Sequence, residues 1–165
     1  KLNKFGEVRT IGSYHYKVMT APDIDIHILN NQANKETALN IFHELMQLEG
    51  IVSSKITDFV KYRKQLAHNP SNLPPLSYFI GARFWYNEQL WRVDISFLKE
   101  KQDEVDEYEE YFSKIDEPTR EKIVLFKDRI KKDTSINCYS KDIYRAFMNG
   151  HIQEYEDLAS YLEKL

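Results

Sequence analysis

The sequence is poor in cysteine, glycine and proline: its 165 residues contain one cysteine, Cys138, with five glycines and five prolines. A single cysteine excludes an intrachain disulfide framework and a cysteine-based metal cluster, which fits a reducing, cytoplasmic location. Apolar residues make up 42% and aromatic residues 13% of the chain. This composition and length predict a folded globular protein rather than a disordered one.

The chain also lacks an excess of positive charge and a long apolar run. Its net charge of −3 argues against general affinity for nucleic-acid backbones. No segment approaches the roughly 20 apolar residues of a membrane-spanning helix, and the start KLNKFGEV has no signal-peptide pattern. A strand pattern begins soon after Lys1, so we expect residues upstream of this numbering.

Alternating and helical patterns divide the sequence at about residue 100. Strand patterns are EVRTIGS, DIDIHIL and IVSSKITDFV, followed by the hairpin LSYFIGARFWY, NEQ, LWRVDISFL. A helix pattern covers residues 35–48, and the proline-rich HNPSNLPP reads as a loop. Four charge-rich helix patterns follow residue 98. The predicted fold class is therefore α+β, with residues 1–100 forming a mixed sheet flanked by helices and residues 101–165 forming a helical subdomain.

The segment DIDIHIL places Asp23 and Asp25 on one face of a strand, about 7 Å apart. Two carboxylates that close repel each other unless a cation lies between them. Hard oxygen ligands suit Mg²⁺ or Mn²⁺, which share their remaining positions with substrate phosphates. The pair indicates nucleotide chemistry, although an isolated Asp-x-Asp is more often a solvated polar face. His27 shares this face, where a local hydrogen bond is the simpler role.

The strand LWRVDISFL places Arg92 and Asp94 on the face opposite to Trp91, Val93, Ile95 and Phe97. If this strand lies beside DIDIHIL, Asp94 becomes the third carboxylate of a metal site. Arg92 is placed either to neutralise a phosphate or to form an ion pair with Asp94. Arg83 is a weaker candidate for a phosphate.

Gly12 and Ser13 predict an anion-binding turn at the end of the first strand. A glycine lets a phosphate approach the backbone, and a helix start offers free N–H groups beside the serine hydroxyl. The chemistry expected of such a site is in-line attack on a nucleotide phosphoryl group. The aromatic residues Trp85, Tyr86 and Trp91 are candidates for stacking on a base, and for Trp91 the core is the preferred location.

Gly-Ser, a spacer of about ten residues, Asp-x-Asp in a strand and a later strand aspartate resemble the nucleotidyltransferase superfamily typified by DNA polymerase β. More narrowly, GSYHYKVMTAPDIDIHI, WRVDISFL and the helical tail resemble small bacterial nucleotidyltransferase-like proteins of unknown function. The resemblance implies that Gly12 and Ser13 bind phosphate. It also implies that Asp23, Asp25 and Asp94 bind metal, with Asp94 activating the acceptor hydroxyl or completing a second metal site.

Many members of the superfamily have small residues after Gly-Ser, whereas Tyr14, His15, Tyr16 and Lys17 stand here. Lys17 is a candidate phosphate contact, and the alternative is that these side chains narrow the nucleotide pocket. We expect a metal-dependent transfer of a nucleoside monophosphate from an NTP, most simply ATP, to a hydroxyl of a small molecule or protein. The alternatives are a non-catalytic nucleotide sensor and an interaction module on the same fold.

Overall fold

The computed structural model describes residues 1–66, 73–133, 138–150 and 152–162, and within them the chain has an α+β fold. These residues form two compact units. The sheet unit contains residues 1–15 and 21–103, and the helical unit contains residues 16–20 with the described residues from 104 onward. The division of the chain after residue 100 stays a prediction. Residues 68–72 of the predicted loop HNPSNLPP lie outside the described residues.

The sheet unit is built on a five-stranded mixed sheet with the order β1-β2-β5-β4-β3. Its strands are β1 (Glu7–Ile11), β2 (Asp23–Leu29), β3 (Ile51–Asp58), β4 (Ser77–Tyr86) and β5 (Gln89–Leu98). Strands β2 and β5 pair in parallel, and the other neighbours pair antiparallel. The parallel pair lies in the interior of the sheet, so the strand that carries DIDIHIL and the strand that carries WRVDISFL are direct neighbours.

The predicted hairpin is confirmed, with a tighter turn than NEQ indicates. Gln89 already pairs with Tyr86, so only Asn87 and Glu88 form the turn. Both have positive φ, +46° and +62°, which is the backbone of a type I′ turn and matches the twist of an antiparallel pair.

Three helices connect these strands: α1 (Gly12–His15), α2 (Lys35–Met46) and α3 (Phe59–Leu66). Helix α2 begins at Asn34, whose side chain accepts a hydrogen bond from the Thr37 N–H at 2.9 Å, and it ends two residues before the predicted position. The strand predicted over IVSSKITDFV ends earlier, at Asp58, whose carboxylate accepts from the Lys61 N–H. That local hydrogen bond starts α3 at Phe59, so the last two residues of the predicted strand are helical.

One face of the sheet is apolar and is covered by α2. Buried residues of β2, β4 and β5 pack with buried residues of the helix to form the core of the sheet unit: Ile28, Ile80, Ile95, Phe97, Ala38, Ile41 and Leu45. The opposite face carries the alternate residues of the same strands, including the aspartates. Alternation therefore separates the core from the candidate site.

The helical unit contains α4 (Asp103–Lys114), α5 (Glu117–Lys132), α6 (Ser140–Asn149) and α7 (Tyr155–Leu162). Asp116 caps α5 by accepting from the Thr119 N–H at 3.1 Å, and Gly150 follows α6. Tyr16 and Val18 join the core of this unit, where the Tyr16 ring stacks on Phe112 at a centroid distance of 4.4 Å. The short segment between α1 and β2 is therefore part of the helical unit's core.

Candidate functional site

The parallel pairing of β2 with β5 brings the three predicted carboxylates together. The register sets Asp25 opposite Asp94 and Asp23 opposite Arg92. One carboxylate oxygen from each aspartate lies within 4.8 Å of the others, and all three residues are partly buried. We refer to Asp23, Asp25 and Asp94 as the acidic triad.

Arg92 is a cation bound directly to the acidic triad. Its guanidinium makes two hydrogen bonds to Asp23, one of them from Nε to Oδ1 at 2.9 Å and the other from Nη2 to Oδ2. Its Nε also lies 3.5 Å from Oδ2 of Asp94. The sequence left open a phosphate contact or an ion pair with Asp94, and the structure shows Arg92 paired mainly with Asp23.

The electrostatics of the acidic triad favour a positive charge at its centre. Burial raises the pKa of Asp94, and the Asp23 carboxylate adds to that rise, whereas Arg92, Arg83 and Lys55 oppose it. The pKa of Arg92 is raised chiefly by its hydrogen bond to Asp23. A bound cation would relieve the repulsion between the carboxylates and would compete with Arg92 for Asp23.

Gly12 has a more specific structural role than the sequence indicated. Its φ of +71° lies in the left-handed region, and a Cβ added there would clash with Oδ2 of Asp25 and come within 3.0 Å of its Cγ. Glycine at this position therefore allows the turn to lie directly against a triad carboxylate. Ser13 is the next residue in α1, at the same end of β2 as the acidic triad.

Lys17 is the one predicted site residue that belongs to the helical unit. It is exposed and has a φ of +58°. Its contact with a nucleotide phosphate stays a prediction, as do the phosphate contacts of Gly12, Ser13 and Arg92.

His27 lies on the face of the sheet that carries the acidic triad, which we call the acidic face. It is buried there, with 8% of its surface exposed. Burial, with a smaller contribution from Arg9, lowers the pKa of His27 to about 4. The imidazole is therefore neutral near pH 7. Trp91, for which the core was preferred, is half-buried on the apolar side, with its ring edge-on to Tyr14 at a centroid distance of 6.3 Å.

The sequence patterns did not indicate that two further residues, Lys55 and Gly81, lie on the acidic face. Gly81 pairs with Asp94 across the hairpin, and Lys55 pairs with Gly81 on the far side of β4. The period-2 pattern of IVSSKITD allowed Lys55 to face either side of the sheet. Only the register, which depends on packing, puts it in line with Asp94.

A comparison of the sequence with protein-family models finds no matching family, and a comparison with curated proteins finds no match. Among the residues that the structure describes, no helix combines the length and apolar character needed to cross a lipid bilayer. The interpretation of the site therefore depends on its own geometry.

The acidic triad has suitable ligands for a small divalent cation. Neighbouring oxygen ligands of an octahedral Mg²⁺ lie about 3 Å apart, given Mg–O distances of about 2.1 Å. The three carboxylate oxygens are within 4.8 Å of one another, so small side-chain rotations would bring them to that spacing. Three protein oxygens leave the remaining positions for water or a phosphate.

Proposed function

We propose that this chain is a metal-dependent nucleotidyltransferase with the polymerase-β-like fold, which transfers a nucleoside monophosphate from an NTP to a hydroxyl and releases pyrophosphate. The observation that carries the proposal is the acidic triad, gathered from two parallel neighbouring strands with Asp25 packed against the Gly12 turn. A cation with free coordination positions beside an anion-binding turn suits a triphosphate.

Asp23, Asp25 and Asp94 would hold Mg²⁺ or Mn²⁺. The metal, when bound, would align the triphosphate and stabilise negative charge on the attacking and leaving oxygens. The Ser13 hydroxyl and the free N–H groups that begin α1 would hold a phosphate beside it.

Arg92 would exchange partners when substrate binds. In the structure its guanidinium engages Asp23, a carboxylate that the metal would also need. Released from Asp23, the planar guanidinium is suited to bind phosphate oxygens through two N–H groups.

In the proposed transfer, the acceptor hydroxyl oxygen attacks the α-phosphorus of the NTP. The bond from that phosphorus to the oxygen bridging to the β-phosphate breaks, and pyrophosphate leaves. Asp94 would accept the hydroxyl proton on a carboxylate oxygen. Asp94 lies between Asp25 on one side and Gly81 on the other, and 23% of its side chain is exposed, so an acceptor can reach it.

A second candidate function is a nucleotide sensor that binds without turnover. The Arg92–Asp23 pair favours it, because that pair already neutralises part of the acidic triad without a metal. A sensor would bind an NTP with Mg²⁺ and would not release pyrophosphate.

Pyrophosphate release tests the proposal. The protein is incubated with each of the four NTPs, Mg²⁺ or Mn²⁺ and a panel of hydroxyl-bearing small molecules and proteins, and transfer is followed with an α-³²P label. We expect metal-dependent label transfer, lowered at least roughly 100-fold by Asp94→Asn. The control Glu88→Gln, in the exposed hairpin turn, should keep full activity. Nucleotide binding without release with every acceptor would favour the sensor.

A further inference from the structure

Arg92 is the cross-strand neighbour of Asp23 on the acidic face. The register of β2 with β5 places the two residues directly opposite each other. The Arg92 N–H donates to the Pro22 carbonyl at 2.9 Å, which holds the Arg92 backbone beside the start of β2. The guanidinium engages both oxygens of the Asp23 carboxylate. Two parallel hydrogen bonds of this kind form the strong, planar arrangement that arginine makes with a carboxylate.

The two partners differ in how freely their side chains can move. Only 18% of the Asp23 side chain is exposed, whereas 48% of the Arg92 side chain is exposed. Arginine also has more rotatable bonds than aspartate, so it can leave its partner by changing rotamer while the backbone of both strands stays in place. Arg92 is therefore the movable half of the pair.

The pair occupies the two atoms of Asp23 that a metal at the acidic triad would need. Mg²⁺ and Mn²⁺ bind carboxylate oxygens, and both oxygens of Asp23 already accept hydrogen bonds from a cation. A metal that arrives alone has to displace the guanidinium into water. A metal that arrives with a triphosphate has a different balance, because the phosphate oxygens offer the guanidinium new acceptors.

We propose that Arg92 is a latch on Asp23 that makes metal binding depend on the nucleotide. The acidic triad would bind free Mg²⁺ or Mn²⁺ weakly and the metal–triphosphate complex tightly. This inference rests on the proposed function, because it assigns a regulation to that same site. By thermodynamic linkage, the factor by which the triphosphate strengthens metal binding is also the factor by which the metal strengthens triphosphate binding.

Binding of Mn²⁺ alone tests the latch without any turnover. The paramagnetic resonance signal of unbound Mn²⁺ gives the dissociation constant for the wild type and for Arg92→Met, which removes the guanidinium and keeps much of the side-chain volume. The matched control is Arg83→Met. Arg83 pairs with Arg92 across the hairpin, but within the described part of the chain it makes no hydrogen bond or ion pair with a triad carboxylate.

We expect Arg92→Met to bind Mn²⁺ alone at least roughly 10-fold more tightly than the wild type does. Arg83→Met also removes one positive charge near the acidic triad, and it should tighten Mn²⁺ binding by no more than about 3-fold. Damage to the fold would weaken the metal site, so tighter binding by a variant is a result that a merely structural role of Arg92 does not give.

A double-mutant cycle with Asp23→Asn assigns the effect to one carboxylate. In the Asp23→Asn background the guanidinium has lost its charged partner, so Arg92→Met should change Mn²⁺ affinity no more than Arg83→Met does.

The nucleotide side of the latch is measured by calorimetry with the complex of Mn²⁺ and a non-hydrolysable ATP analogue. The wild type should bind this complex at least roughly 10-fold more tightly than it binds Mn²⁺ alone. Arg92→Met should narrow that ratio, because the variant binds free metal better and has lost a phosphate contact.

Equal Mn²⁺ affinity in the wild type and Arg92→Met, with the complex still bound, would overturn the latch and leave the proposed function standing. Equal tightening by Arg92→Met and Arg83→Met would also overturn it, because the effect would then be one of general charge. Failure of the wild type and of Arg92→Met to bind either Mn²⁺ or the complex would remove the proposed function and the latch together. Circular dichroism confirms that each variant is folded.

Discussion

The sheet unit and the helical unit both hold charged side chains away from water, but they use them differently. In the helical unit, Lys127 is only 4% exposed, and its ammonium donates to the Val18 carbonyl at 2.8 Å and to the Tyr144 hydroxyl at 3.1 Å. In the sheet unit, three carboxylates converge on one another. The buried charge of the helical unit is matched by hydrogen-bond acceptors, whereas the triad carboxylates repel one another and are offset only in part by Arg92.

Arg120 shows the same use of charge in the helical unit. Its guanidinium donates to the backbone carbonyls of Tyr16 and Phe112, which ties the segment of residues 16–20 to α4 and α5. No carboxylate triad within 4.8 Å occurs among the described residues of this unit. We therefore expect substitutions in the helical unit to change stability, and those in the acidic triad to change ligand binding.

The largest expected effect on stability is that of Tyr16→Ala. The Tyr16 ring stacks on Phe112 and makes edge contacts with Tyr108 and Tyr144, so its removal leaves a cavity in the core. We expect a loss of about 3 to 5 kcal/mol. Hydrogen exchange should show faster exchange in α4, α5 and α6, while β2 and β5 stay protected.

Tyr16→Phe is the matched control, because it keeps the ring and should cost much less. If Tyr16→Ala left the exchange of these helices unchanged, the segment of residues 16–20 would not belong to the helical core.

A smaller loss is expected for Lys127→Met, which keeps most of the side-chain volume. The substitution removes the ammonium donor from the buried Val18 carbonyl, and we expect a cost of about 1 to 3 kcal/mol. Urea denaturation measures the change, with Lys132→Met, at an exposed position of the same helix, as the control. Unchanged stability would mean that the Lys127 hydrogen bonds contribute nothing net to the helical unit.

In the absence of metal, Asp94→Asn should raise the free energy of unfolding rather than lower it. Burial and the neighbouring Asp23 carboxylate both disfavour the Asp94 charge, so a neutral side chain of similar shape should raise stability by about 0.5 to 1 kcal/mol. A thermal melt in EDTA measures the change against Glu88→Gln, which should be neutral. A lower melting temperature for Asp94→Asn would show that the triad carboxylates are already well compensated.

The smallest effect expected is at Cys138, which is half-buried in the helical unit. Burial, with a contribution from Asp142, raises the pKa of the Cys138 thiol to about 11. Because the thiolate is the reactive form, iodoacetamide should label the folded protein at pH 8 more slowly than the urea-unfolded protein. Labelling should accelerate as the pH rises toward 11. Equal rates at pH 8 would contradict the raised pKa.

Much of the sheet unit could be predicted from the sequence because local patterns determine its strands. The alternation in DIDIHIL and LWRVDISFL correctly separated the aspartates from the core residues Ile28, Ile95 and Phe97. From the sequence, the pairing of these two strands, which are more than 60 residues apart, could only be assumed as a condition for the site. Packing of the apolar face determines that pairing.

Features that depend on distant contacts escaped the sequence patterns. Nothing in the segment of residues 16–20 indicated that Tyr16 and Val18 pack with helices some 90 residues later. Helix α3 was missed because the β-branched pattern continued past Asp58, whose capping hydrogen bond ends the strand. The alignment of Lys55 and Gly81 with Asp94 follows only from the register of the strands.

A calorimetric titration tests the metal-nucleotide site directly: a non-hydrolysable ATP analogue with Mg²⁺ is titrated into the wild type and into Asp23→Asn/Asp25→Asn. We expect the wild type to bind the analogue and EDTA to abolish that binding. The double variant should not bind it, although circular dichroism shows the variant to be folded. Equal binding by both proteins, or none by the wild type with any of the four nucleotide bases, would contradict a metal-nucleotide site at the acidic triad.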